Sequence, residues 1–163
     1  MKGELYINGL DAWTTWGISL DSSGLSALMT PAPVKDFVSN ESRLEDGTQY
    51  IVTHPRLKER ELILRLNLHA PTATLFYARY AAFCKDVLTT GTVNISTQYL
   101  TGVVFRCVYQ SCTQYTQYRG KVARFALKLM EPDPTDRGLT PKGSSINCLS
   151  ASFENTPIER RRL

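Results

Sequence analysis

The sequence predicts an α+β domain: a mainly antiparallel β-sandwich or curled sheet with one packed α-helix. Three observations carry this. Residues 59–69, ERELILRLNLH, place Leu62, Leu64, Leu66 and Leu68 on one face and Glu61, Arg65 and Asn67 on the other, the two-residue period of a strand with one wet side. Over about 72–89 the period changes, and Phe76, Tyr80, Phe83 and Val87 recur at spacings of four, three and four, a helical apolar stripe. Residues 120–130 return to alternation, with Phe125, Leu127 and Leu129 opposing Arg124 and Lys128. Strands, one helix and then strands is the order of an α+β domain. One helix covers only one face of a sheet, so the sheet must double over or curl.

The remaining elements follow in chain order. Residues 4–8, ELYIN, read as a short strand, and Asn8-Gly9 is a strong two-residue turn signal. Trp13, Trp16 and Ile18 continue the apolar pattern until Gly17 breaks it, and Asp21-Ser22-Ser23-Gly24 is loop chemistry. Pro31 and Pro33 argue against a helix through residues 25–38, which are expected to form an extended arm. Residues 39–48, SNESRLEDGT, are polar and contain a glycine, which suggests an exposed loop or hairpin tip. After the helix, Thr89-Thr90-Gly91 marks its end, and residues 92–96 are a short strand. Val103, Phe105, Cys107 and Tyr109 line one face of the next strand. The last strand is stopped by Pro132 and Pro134, since proline cannot donate to a sheet ladder.

At 163 residues the chain has the length of about one domain, and its 42% apolar and 21% charged residues are those of a globular protein. The apolar runs fall far short of the roughly 20 residues of a membrane helix, and no secretory leader is evident, so synthesis in a cytoplasm is expected. Cys84, Cys107, Cys112 and Cys148 show no zinc spacing and read as buried free thiols. An odd offset puts Cys107 and Cys112 on opposite faces of a regular strand.

The charge is uneven. Residues 1–118 carry ten basic and ten acidic side chains, whereas 119–163 carry nine basic and five acidic ones and include the run Arg160, Arg161 and Arg162. Residues 1–134 are therefore expected to form the domain and 135–163 an extended arm without a core of its own. Leu139, Ile146, Leu149, Phe153, Ile158 and Leu163 are its main large apolar residues. Ordering backbone costs about 1–2 kcal/mol per residue and a buried apolar side chain returns roughly 1.5–3 kcal/mol, too little for these anchors to fold the segment alone.

No catalytic, cofactor-binding or metal-binding residues are assigned. His54 and His69 stand in extended sequence without a nucleophile or ligand partner at a recognisable spacing, and no phosphate-binding loop or hydrolase motif occurs. These absences leave no small-molecule substrate to infer.

The order ERELILRLNLH, a helix of about 17 residues, GTVNI, and two strands ending in ALKLMEPDP resembles the amino-terminal, tail-tube-like domain of phage distal tail proteins. Glu61, Leu62, Leu64, Leu66 and Leu68 match that family's first alternating strand, and Asp133 and Pro134 its closing acidic-proline signature. The opening LYINGLDAWTTWGISL is similar to the first strand of small phage and prophage tail components. The resemblance implies a structural protein of the virion tail or baseplate, assembling with itself as a ring of six copies and with other tail proteins, with DNA only as passing cargo in a channel. It differs from the larger distal tail proteins in having only 29 residues after Pro134, which puts a receptor-binding role in doubt. Assembly contacts are expected at Trp13, Trp16, Pro31, Pro33, Phe153, Arg160, Arg161 and Arg162. Two readings of other classes stand beside it. One is a monomeric carbohydrate- or surface-binding β-sandwich module, which would need Trp13 and Trp16 as an exposed platform. The other is an enzyme whose site is assembled from dispersed residues. Deleting residues 137–163 is expected to leave the domain folded and weaken assembly; circular dichroism and solution mass measure the two effects separately.

Overall fold

In a computed structural model, residues 1–139 are described. Strand β1 (Leu5–Ile7) turns through Asn8 and Gly9, both at positive φ, into β2 (Leu10–Asp11), as a two-residue hairpin requires. Asp11 then caps helix α1 (Ala12–Trp16), its carboxylate accepting from the Trp13 N–H at 3.2 Å and the Thr14 hydroxyl at 2.9 Å. Gly17, at φ 67°, ends the helix and leads into β3 (Ile18–Leu20). The break at Gly17 is thus a helix C-terminus, and Trp13 and Trp16 lie on a helix instead of continuing a strand.

Helix α2 (Gly24–Met29) corrects the expectation of an arm over 25–38. Pro31 and Pro33 lie beyond its end, where prolines stop a helix without disturbing its interior. Only from Thr30 onward is the segment extended. It carries a separate hairpin of β4 (Val38–Asn40) and β5 (Gln49–Ile51), which agrees with the hairpin expected around 39–48.

Strand β6 (Arg60–His69) buries every second side chain, Leu62, Leu64, Leu66 and Leu68 among them. Thr72 caps helix α3 (Ala73–Phe83), which continues as a π-helical turn over Cys84–Leu88. Phe76, Phe83 and Val87 are fully buried and Tyr80 packs at the margin of the same core, so the helical stripe faces the sheet as its period requires. Strands β7 (Thr92–Thr97), β8 (Phe105–Tyr118) and β9 (Val122–Glu131) complete the order.

The seven main strands form one sheet, β2-β1-β7-β8-β9-β6-β3, with every neighbouring pair antiparallel. Its two edges, β2 and β3, are joined by α1 and Gly17 alone. Seven flat strands would hold their edges about 29 Å apart, whereas five helical residues rise only about 8 Å. The sheet must curl, and α1 lies across the opening, packed on β1, β3 and α3. This is the curled sheet of the two forms expected. Its concave side holds a single core in which Trp16 meets Phe83 edge-on at 5.8 Å and Phe83 meets Phe125 at 5.6 Å.

Strand β8 departs from regular pairing twice, between Tyr109 and Ser111 and between Cys112 and Gln114. The first bulge leaves Gln110 out of the ladder, so Tyr109 and Cys112 oppose Leu129 and Leu127, which share the core side. Cys112 therefore lies on the same face as Cys107, contrary to the parity of a regular strand.

Replacing Gly17 by alanine should be costly. A Cβ there would come within 2.4 Å of the His69 carbonyl oxygen at a left-handed φ. Denaturant unfolding of Gly17→Ala is expected to show a loss above about 2 kcal/mol; a neutral result would mean that α1 does not constrain the sheet edges as described.

Candidate functional site

The polar centre of the molecule lies where β6 begins and β9 ends. Glu131 is 0% exposed and Arg60 3% exposed, with Arg60 Nε 2.8 Å from Glu131 Oε2. That N–H is not aligned for a hydrogen bond, so the attraction is chiefly one of charge. Arg60 Nη1 donates instead to the carbonyls of Leu28 and Thr30 at the end of α2. On the other side Arg137 donates from Nε and Nη2 to the two Glu131 oxygens at 2.7 and 2.8 Å. These bonds hold the Arg137 guanidinium above its ordinary pKa. The Phe105 ring lies 5.4 Å from the Arg60 guanidinium and 5.0 Å from that of Arg137, within cation–π range of both.

Asp133 and Pro134 build the turn that delivers Arg137 to this cluster. The Asp133 carbonyl accepts from the Asp136 N–H at 3.1 Å, and its carboxylate accepts from the Thr135 N–H and hydroxyl. Aspartate first and proline second is a favoured turn pair, and here Pro134 is buried. The turn sends the chain back along β8, where Arg137 O accepts from Val104 N–H and Arg106 donates to the carbonyls of Asp136 and Gly138. The chain does not leave the body at Pro132–Pro134; residues 135–139 are fastened to it. Leu62, Leu64, Leu66 and Leu68 are core residues, and exposed Glu61 pairs with Lys128 at 3.2 Å. The signature residues are thus structural, and the sequence alone did not single out Arg60, Glu131 and Arg137.

The second feature is the arm between α2 and β6. Lys58 N–H donates to Pro33 O, Lys35 N–H to Arg56 O, and β4 pairs with β5 beyond, so the two chains run out together for roughly ten residues each, a reach of about 30 Å if extended. Pro31 and Pro33 are exposed at its root. Val38 is 69% exposed and Leu44, at the tip, 95%. Tyr50, Ile51 and Val52 are also exposed. A two-stranded hairpin on its own is marginal in water, and this one has no cover among the described residues.

Other expected contact residues are distributed differently. Trp16 is in the core, where its indole N–H donates to Asp86 at 3.4 Å, and it offers no surface. Trp13 is half-buried and stacked on His69 at 6.2 Å, so the two tryptophans form no shared exposed platform. Phe153, Arg160, Arg161 and Arg162 lie outside the described residues, as does Cys148. Of the remaining cysteines only Cys107 is buried; Cys84 is half-buried and Cys112, on the stretch of β8 beyond its pairing with β7, is exposed. Burial pushes the Cys107 thiol up to about 12. Among the described residues no group of three or more His, Cys, Asp and Glu side chains is placed to hold a metal ion, and no helix is long and apolar enough to cross a membrane.

No protein-family model and no curated protein sequence matches the chain. A solved structure does: the SPP1 Dit protein, described as a paradigm of hub adsorption apparatus in phages infecting Gram-positive hosts, superposes with a TM-score of 0.57. The fold resembles that of a phage Dit protein. Identity is 16%, and the match covers 80% of this chain and 50% of the Dit chain; the likeness is one of fold, and this chain spans about half of that one.

Removing one side of the buried ion cluster leaves the other uncompensated. Glu131→Gln is expected to lose about 3–5 kcal/mol in denaturant unfolding, and a loss under about 1 kcal/mol would refute the role given to Glu131. A chain ending at Leu139 keeps the cluster, whereas one ending at Asp136 loses two charged hydrogen bonds and should be less stable by about 2–3 kcal/mol, though still folded. For the thiols, alkylation at pH 8 followed by peptide mass spectrometry should mark Cys112 in the native protein and Cys107 only in denaturant. The folded state keeps Cys107 protonated above its ordinary value of 9.0. Its contribution to stability is therefore intact below about pH 9 and is lost as pH rises toward 12.

Proposed function

We propose that this protein is a structural component of a phage or prophage tail that works by self-assembly. The observation that carries the reading is the Dit-like fold over 80% of the chain. The uncovered hairpin supports it, since an arm with exposed Val38, Leu44, Tyr50, Ile51 and Val52 gains stability only against another surface. In this reading the chain forms a ring of six copies, in a tail tube or distal hub, and joins other tail proteins. DNA passes through the ring as cargo, and the protein needs no cofactor and performs no catalysis. It is made in the host cytoplasm and ends in the virion tail.

Light scattering coupled to size exclusion tests this. A ring of six has six times the 18.3 kDa of one chain, and negative-stain images should show a central opening. A monomer at every concentration, together with failure to join purified tails, would overturn the proposal.

A further inference from the structure

On the outer face of the sheet, at the end of β6 away from the arm, lies an open groove of about 410 Å³. Its shape follows from the register. Ala126 sits between Arg65 on β6 and Gln114 on β8, while Asn67 and Thr116 flank Arg124 in the next row. A small side chain between long ones makes the dip. Arg65 and Arg124 are exposed and diagonal to one another, and neither lies within ion-pair distance of a carboxylate among the described residues. Asp21, the acidic residue of the lining, accepts from Asn67 Nδ2 at 3.3 Å and from the Ser23 hydroxyl at 3.1 Å, and the charge of Arg124 acts on it more weakly. The Asn67 Oδ1 is buried without a hydrogen-bond partner.

The arm tip has the complementary form. Leu44 projects almost fully exposed, and Glu41, Glu45 and Asp46 lie within three residues of it in the chain, against the single basic Arg43; Glu41 accepts from the Thr48 hydroxyl and Glu45 from Gln49 Nε2. An apolar knob in an acidic stretch thus has the chemistry to complement an alanine-floored dip flanked by arginines. The tip of the same chain does not line the groove.

We infer that the groove around Arg65, Arg124 and Ala126 is the seat for the acidic hairpin tip, Glu41–Asp46, of a second copy of this chain. Leu44 enters above Ala126, and the carboxylates face the two arginines. The arm springs from one end of β6 and the groove lies toward the other, so the contact is head-to-tail, a kind that closes into a ring or continues as a filament. This inference rests on the self-assembly proposed above and names the surfaces that would carry it.

The test uses the full chain and three variants: Arg65→Glu with Arg124→Glu, Glu45→Lys with Asp46→Lys, and all four together. Circular dichroism establishes that each is folded, and light scattering over a concentration series at low and high salt gives the assembly constant. Each reversed pair is expected to weaken assembly at least about tenfold at low salt, with the fourfold variant recovering most of the loss. A wild-type assembly that both reversals leave unchanged would overturn this seat while leaving self-assembly standing. Weakening by each reversal without recovery in the fourfold variant would also overturn the pairing. A wild-type chain that stays monomeric throughout would overturn the ring itself and the seat with it.

Discussion

Glu131 is the constraint around which the chain is tied. A carboxylate removed from water costs several kcal/mol unless opposite charge and hydrogen bonds compensate it. Here the compensation comes from guanidiniums on two distant parts of the chain. Arg60 stands where the arm ends and β6 begins, and through Leu28 O and Thr30 O it also fixes the end of α2. Arg137 arrives from the opposite direction, delivered by the turn at Asp133-Pro134. One buried charge thus sets the exit of α2, the root of the arm, the end of β9 and the start of the C-terminal extension. Such an arrangement favours a single geometry over alternatives, because any displacement strands a charge in the interior.

The apolar core fixes the other half of the design. Because α1 must bridge both edges of the sheet with five residues, curvature is imposed by the chain's own connection. Trp16 is the bolt of that closure, filling the interior with its ring while its N–H meets Asp86 on the π-helical turn after α3. The π turn thereby carries both a buried Val87 and an acceptor for the buried indole, two demands that fall on adjacent residues.

The parts of the fold legible in the sequence are those where burial on one side enforces a period. β6, α3, β7 and β9 are long enough for alternation or a 3.6-residue stripe to repeat. α1 and α2, with five and six residues, give fewer than two turns, and no periodic signal accumulates. Their caps were the available clues: Asp11 before Ala12, and prolines placed after Met29. Parity failed in β8 because each bulge shifts the count by one, which is how Cys112 changed sides. The ion cluster was hidden for a different reason. Arg60 occupies the strand position where a charged residue ordinarily marks the solvent rim, and Glu131 stands beside a proline stop, so both resemble surface residues until the turn at Asp133 brings Arg137 back. The resemblance to tail proteins was carried by element order, which one sequence displays directly.

The sheet's edges have a further bearing on the life of the molecule. β2 offers two residues and β3 three, too little free ladder to template another strand. During synthesis at high local concentration, the two outer edges of the sheet are therefore poorly suited to indiscriminate backbone pairing. Among the described residues, open ladder remains on residues 111–118 of β8, which run on past the pairing with β7, and on the slender hairpin of β4 and β5, held away from the core and bordered at its tip by charge. Backbone left to pair is thus found on the overhang of β8 as well as on the arm, and not at the sheet's outer edges.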